Sequence, residues 1–155
     1  MIILGIDPGI ANIGFGIIRE VRSQRVKAKN NFKCLGYGLI QTSPSLTTPE
    51  RLKKLSNELS ELIKKYRPKV LAVENVYFFK NLKTVMAVSQ AEGVIFLAAA
   101  RKKIPVYELA PLEVKMTITG HGRAEKSEVQ KRIKKLLNLN EAPKPDDAAD
   151  ALAIA

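Results

Sequence analysis

The chain has 155 residues, with 26 Lys and Arg against 15 Asp and Glu and one His, a formal net charge of +11. That length corresponds to one domain of ordinary size, and 46% apolar residues are enough for a core and exclude an intrinsically disordered chain. A single cysteine, Cys34, excludes an intrachain disulfide and a cysteine-based zinc site built from this chain alone.

Ile2 to Ile6 is a near-continuous apolar run ending at Asp7-Pro8-Gly9, which predicts a strand buried on both faces and then a turn. Ile13, Phe15 and Ile17 alternate with small residues, the period of a second strand. Arg19 to Lys33 carries six basic residues and one acid, Glu20, and reads as a solvated hairpin tip before a third strand, Phe32 to Gln41. From Glu50 to Tyr66, the residues Leu52, Leu55, Leu59, Leu62, Ile63 and Tyr66 have the one-sided spacing of an amphipathic helix. Pro68 ends it, and Val70 to Glu74 is a short, buried, parallel strand. Lys83 to Ala100 predicts a mostly buried helix in which Gly93 marks close packing, and Ile104 to Leu109 a fifth strand. Ala124 to Leu137 reads as a helix with Val129, Ile133, Leu136 and Leu137 inward, and Asp147 to Ala155 as a last helix. A meander followed by strand–helix alternation predicts an α/β fold, one mixed five-stranded sheet flanked by helices, in a single domain over residues 1–155.

No apolar run reaches the roughly 18 residues of a membrane span. The N-terminal MIILGIDPG has neither a basic region nor a cleavage site, so a soluble, cytoplasmic protein is expected. The positive surplus asks for an acidic partner, nucleic acid before anionic membrane.

Asp7 closes the first strand and Glu74 the fourth. If those strands are parallel neighbours, both carboxylates emerge at the carboxyl edge, where such sheets place their sites. Asp147 and Asp150 are three apart at the start of the last helix and share a face. Each acid also has an ordinary reading: Asp7 as a turn residue, Asp147 as a helix cap and Asp150 as an acid favoured by the helix dipole. Glu74 resists one, because burying an unpartnered carboxylate is costly. Asp146 competes with Asp147 for the same role. Hard carboxylate oxygens suit Mg²⁺ or Mn²⁺, and two such ions serve phosphodiester cleavage. On a strongly basic chain that combination points to a metal-dependent nuclease.

Three segments carry a resemblance: Ile3-Leu4-Gly5-Ile6-Asp7-Pro8-Gly9 with Gly14-Phe15-Gly16, then Val73-Glu74-Asn75-Val76-Tyr77, then Asp147-Ala148-Ala149-Asp150 through Ala155. With the basic stretch from Val114-Lys115-Met116-Thr117 through Gly120-His121-Gly122-Arg123-Ala124-Glu125-Lys126, their order and spacing resemble the RuvC family of Holliday-junction resolvases. The resemblance implies an RNase H-like fold and a homodimer that nicks two symmetric strands of a four-way DNA junction in recombination and repair. It implies a Mg²⁺ site, with two ions and Mn²⁺ as a substitute, on Asp7, Glu74, Asp147 and Asp150. It also implies work beside the RuvA–RuvB branch-migration complex. Lys115 and Lys126 match family lysines near the scissile phosphate, where a cation stabilises developing charge. Tyr77 matches a residue that stacks on unpaired bases; Phe78, Lys80 and Arg123 complete the expected DNA contacts. His121 is expected to be an exposed loop residue and Cys34 a small core residue. The family usually continues beyond the start of the last apolar helix, whereas this sequence ends at Ala155.

Two other classes share part of this signature. Asp7-x-Gly9 followed by Gly14 resembles the phosphate loop of actin-like ATPases and sugar kinases, which need a second such domain to close over nucleotide. A catalytically dead nucleic-acid-binding module has no use for four retained acids.

Overall fold

A computed structural model of the chain describes residues 1–21, 32–75 and 82–155, the side chains of residues 82–84 excepted. Most of the predicted hairpin tip, and the segment holding Tyr77, Phe78 and Lys80, lie outside the described residues. The sheet contains β1 (Ile2–Asp7), β2 (Asn12–Glu20), β3 (Phe32–Gln41), β4 (Val70–Glu74) and β5 (Val106–Leu109), in the order β3-β2-β1-β4-β5. β1, β2 and β3 form an antiparallel meander; β4 and β5 join as parallel strands. The mixed five-stranded sheet is the one expected.

Period-two alternation sorts β2 onto two faces. Ile13 and Ile17 point into a core with Leu4, Ile6, Leu71 and Val73. Over that face lie α1 (Thr48–Tyr66), through Leu55, Leu59 and Ile63, and α2 (Leu82–Arg101), through Ala91, Ile95, Ala98 and Ala99. Spacings of three and four residues keep each set on one side of its helix. α1 starts where the Glu50 carboxylate accepts the Thr47 backbone N–H at 2.7 Å and ends at Arg67, whose left-handed φ of 49° closes the last turn.

The opposite face carries α4 (Lys126–Leu136) and α5 (Asp146–Ile154), packed through Ile18, Val129, Ile133, Leu152 and Ala153. Between β5 and α4 lies α3 (Pro111–Thr119), which the periodicity did not predict. It buries no residue fully and packs partly through Val114 and Ile118, a pair too short to read as an amphipathic stripe. Its signals are in the caps: Pro111 opens it, Glu113 accepts the Ala110 N–H at 2.9 Å, and Gly120 closes it at φ 90°.

Two packing expectations are corrected. Gly93 does not mark a close approach: a Cβ there meets open space. It sits in a line with Met86, Gln90, Leu97 and Ala100 on the exposed side of α2, so α2 is buried on one face only. Leu136 turns outward at 37% exposure, because the apolar face of α4 is filled by Val129, Ile133 and the following Leu137. Cys34 is half-buried beside that second cluster, and burial raises its thiol pKa.

Candidate active site at the carboxyl edge of the sheet

Strand register brings the first two acids together. β1 and β4 run parallel with Ile6 opposite Val73, so the next residues, Asp7 and Glu74, leave adjacent strand ends on the same edge. The aspartates of α5 reach that edge because glycines stand where the helix crosses the sheet most closely. Gly14, paired with Asp7 across β1 and β2, lies so close to α5 that a Cβ there would stand 2.0 Å from the Asp147 carbonyl oxygen. A Cβ on Gly16 would stand 2.7 Å from the Leu152 Cα. Any larger residue at either position holds the helix off the sheet. These glycines belong to the motif read in the sequence, but their role as a seat for α5 depends on a contact between distant segments.

The result is one cavity of about 410 Å³ lined by Asp7, Glu74, Asp147 and Asp150, with Lys115 and Lys126 also in its wall. Lys115 comes from α3 and Lys126 from the first position of α4. Arg123 is exposed and does not line it. Asp146 does not line it either: its Oδ1 accepts a hydrogen bond from Gln130 Nε2 at 2.9 Å. The α5 cap is Pro145, whose carbonyl takes the Ala148 and Ala149 N–H groups. Asp147 is therefore free of the capping role open to it from sequence, and of the two neighbours it is Asp147 that lines the cavity. His121 is exposed in its loop, with Nε2 3.0 Å from Glu128 Oε1.

The electrostatics are those of crowded negative charge. Asp7 is pushed up to about 8, first by burial and then by Glu74, Asp150 and Asp147, against a smaller pull from Lys126. Burial also raises Asp150, opposed by Lys126, whose Nζ stands 3.2 Å from Asp150 Oδ2. Burial would lower Lys126, yet Asp150, with Asp146 and Asp147, raises it. A site that holds a proton on a carboxylate at neutral pH favours added positive charge. The hard oxygen donors fit a divalent cation. Among the described residues, no three such donors are yet drawn together closely enough to hold an ion as they stand, and Lys126 supplies the compensating charge instead.

The family model described as crossover junction endodeoxyribonuclease RuvC matches residues 3–155. The chain belongs to the RuvC family. It is 52% identical to the crossover junction endodeoxyribonuclease RuvC of Alkaliphilus metalliredigens over 155 residues, all of this chain and 90% of that protein. It is 47% identical to the RuvC of Halothermothrix orenii, over 99% of this chain and 89% of that protein. The solved structure of T. thermophilus RuvC in complex with a Holliday junction substrate superposes with a TM-score of 0.91 at 35% identity, covering 100% of this chain and 90% of that one. The yeast mitochondrial Holliday junction resolvase, at 16% identity and a TM-score of 0.67, shares the fold. The RNase H-like expectation for the sheet and its helices thus holds.

Proposed function

We propose that the chain is a structure-specific endonuclease, one nuclease domain over residues 1–155, that resolves four-way DNA junctions by metal-dependent phosphodiester hydrolysis. The observation that carries this reading is the convergence of Asp7, Glu74, Asp147 and Asp150 on one cavity in a chain of net charge +11. The acids hold Mg²⁺, two ions per site, with Mn²⁺ able to substitute. Bound there, the cations supply an activated water and charge stabilisation for the leaving oxygen.

The chain's own residues do the rest. Its basic surface gathers the phosphate backbone. Burial first, and then Glu74, Asp150 and Asp147, raise Asp7; a cation bound there would favour its carboxylate form by offsetting that repulsion. Lys126 trades Asp150 for the scissile phosphate, and Lys115 faces the same phosphate from α3; both neutralise charge that grows in the transition state. Arg123, Lys80 and Phe78 contact the flanking DNA, and Tyr77 stacks on a base at the junction centre. The nucleotide-binding alternative gives Glu74, Asp147 and Asp150 no work, although all three line the cavity beside Asp7.

Symmetric cleavage needs two copies. The line Met86, Gln90, Gly93, Leu97 and Ala100 follows a four-three spacing along exposed α2, with Met86 68% and Leu97 51% exposed. An apolar seam at that spacing suits helix-on-helix packing with a second copy. Among the described residues no helix is long and apolar enough to cross a membrane; the cytoplasm, beside the RuvA–RuvB complex, is where this activity belongs.

The test is a nicking assay on a synthetic four-way junction and on linear duplex of matched sequence, with and without Mg²⁺. Paired, Mg²⁺-dependent nicks in the junction alone are expected. Equal cutting of duplex, or ATP hydrolysis without nicking, contradicts the reading.

A further inference from the structure

α4 and α5 meet through two polar contacts in antiparallel register. Lys126 faces Asp150 at 3.2 Å, and one turn further along α4 and one turn back along α5 Gln130 donates to Asp146 at 2.9 Å. Both pairs are spaced i, i+4, so each helix presents them on a single face, beside the apolar contact of Val129 and Ile133 with Leu152 and Ala153. The two contacts differ in what catalysis does to them. The first joins two groups of the cavity wall and opens when Asp150 binds a cation and Lys126 turns to the phosphate. The second involves neither: Asp146 and Gln130 stand outside the cavity. The Gln130 amide takes up the Asp146 Oδ1, while the adjacent Asp147 lines the cavity.

We infer that Gln130 and Asp146 form a positioning pair, holding the first turn of α5, and with it Asp147 and Asp150, in register with α4 when the Lys126–Asp150 contact opens. The inference rests on the metal-dependent reading above. Neither residue touches substrate; they act through Asp147 and Asp150. Partners that orient a metal ligand typically alter metal affinity by ~10–100-fold when removed, and an exposed hydrogen bond places this pair at the low end.

The experiment compares wild type with Gln130→Ala, Asp146→Ala, Asp146→Asn and the Gln130→Ala/Asp146→Ala double variant. Two readouts are taken across a Mg²⁺ titration: single-turnover junction cleavage, and the rise in melting temperature that Mg²⁺ gives the DNA-free protein. Each alanine variant should need ~10-fold more Mg²⁺ in both readouts, with junction binding in EDTA unchanged. The double variant should be no worse than either single one. Asp146→Asn keeps the acceptor oxygen and should keep most of the wild-type Mg²⁺ response, losing only the Asp146 charge felt at Lys126 and Asp150. A wild-type Mg²⁺ response in Gln130→Ala overturns the inference. So does an Asp146→Asn variant as impaired as Asp146→Ala, which makes the Asp146 charge, not its hydrogen bond, the active feature. If wild type itself shows no Mg²⁺-dependent melting shift, the metal reading falls, and the pair's role with it.

Discussion

Lys126 Nζ stands 3.2 Å from Asp150 Oδ2, so the cavity already contains a cation of its own. The lysine is 60% exposed and the aspartate 26%; the pair is a reversible, solvent-screened contact and not a buried bond. An exposed ammonium held beside the acids is well placed to meet an incoming phosphate.

The first prediction concerns that ammonium. Lys126→Gln removes the charge while keeping length and polarity. Cleavage under single-turnover conditions should fall by about 10²–10³-fold, the usual cost of losing one donor to developing charge. Junction binding should fall only slightly, because many phosphate contacts share it. Rates at saturating enzyme, with binding measured in EDTA, separate the two.

The second concerns pH. Asp7 has its pKa raised from 3.8 to about 8, so between those values the folded metal-free chain binds more protons than the unfolded one. Stability contributed at this group therefore falls as pH rises through the window. Asp7→Asn should leave the protein unchanged near pH 4 and stabilise it increasingly toward pH 8, seen by thermal melting in EDTA. In wild type the proton competes with the cation, so the Mg²⁺ needed for half-maximal cleavage should fall from pH 6 to pH 9.

The third concerns the seat of α5. In Gly14→Ala the new methyl meets the backbone oxygen of Asp147 at 2.0 Å, and a backbone obstacle cannot rotate away. Overpacking costs typically ~1–3 kcal/mol, and this contact belongs at or beyond the upper end. For a chain of this size that is a fall of roughly 6 °C or more in melting temperature, with cleavage lost because Asp147 is displaced.

The fourth concerns the second copy. Leu97 is half-exposed in the single chain, so Leu97→Asp should change subunit stability little while shifting the species in sedimentation from dimer to monomer. Paired nicking of the two junction strands should be lost with it. A dimer that survives Leu97→Asp and Met86→Asp places the interface elsewhere.

Much of the site was legible in the sequence because strand periodicity is local and an α/β fold makes parallel neighbours of its apolar strands. Apolar runs that stop at Asp7 and Glu74 place both acids at strand ends, and parallel pairing does the rest. What was not legible depends on contacts between distant segments. The glycines under α5 read as motif letters until Gly14 and Gly16 are seen against Asp147 and Leu152. That Asp146, next to Asp147, is bonded to Gln130, sixteen residues away in sequence, could not be read from the sequence either. Lys115 was legible only by resemblance, because its short helix, α3, packs just partly, through Val114 and Ile118.

On this reading the four carboxylates gathered at one sheet edge perform chemistry, while junction binding rests on the basic surface. Single-turnover cleavage of a four-way junction by wild type, Glu74→Gln and Asp147→Asn in Mg²⁺, with junction binding measured in parallel in EDTA, tests it most directly. Both variants should bind the junction as wild type does, with the same salt dependence, and leave its strands uncut. Wild-type cleavage by either variant, or loss of binding together with cleavage in a variant that remains folded, would contradict the account.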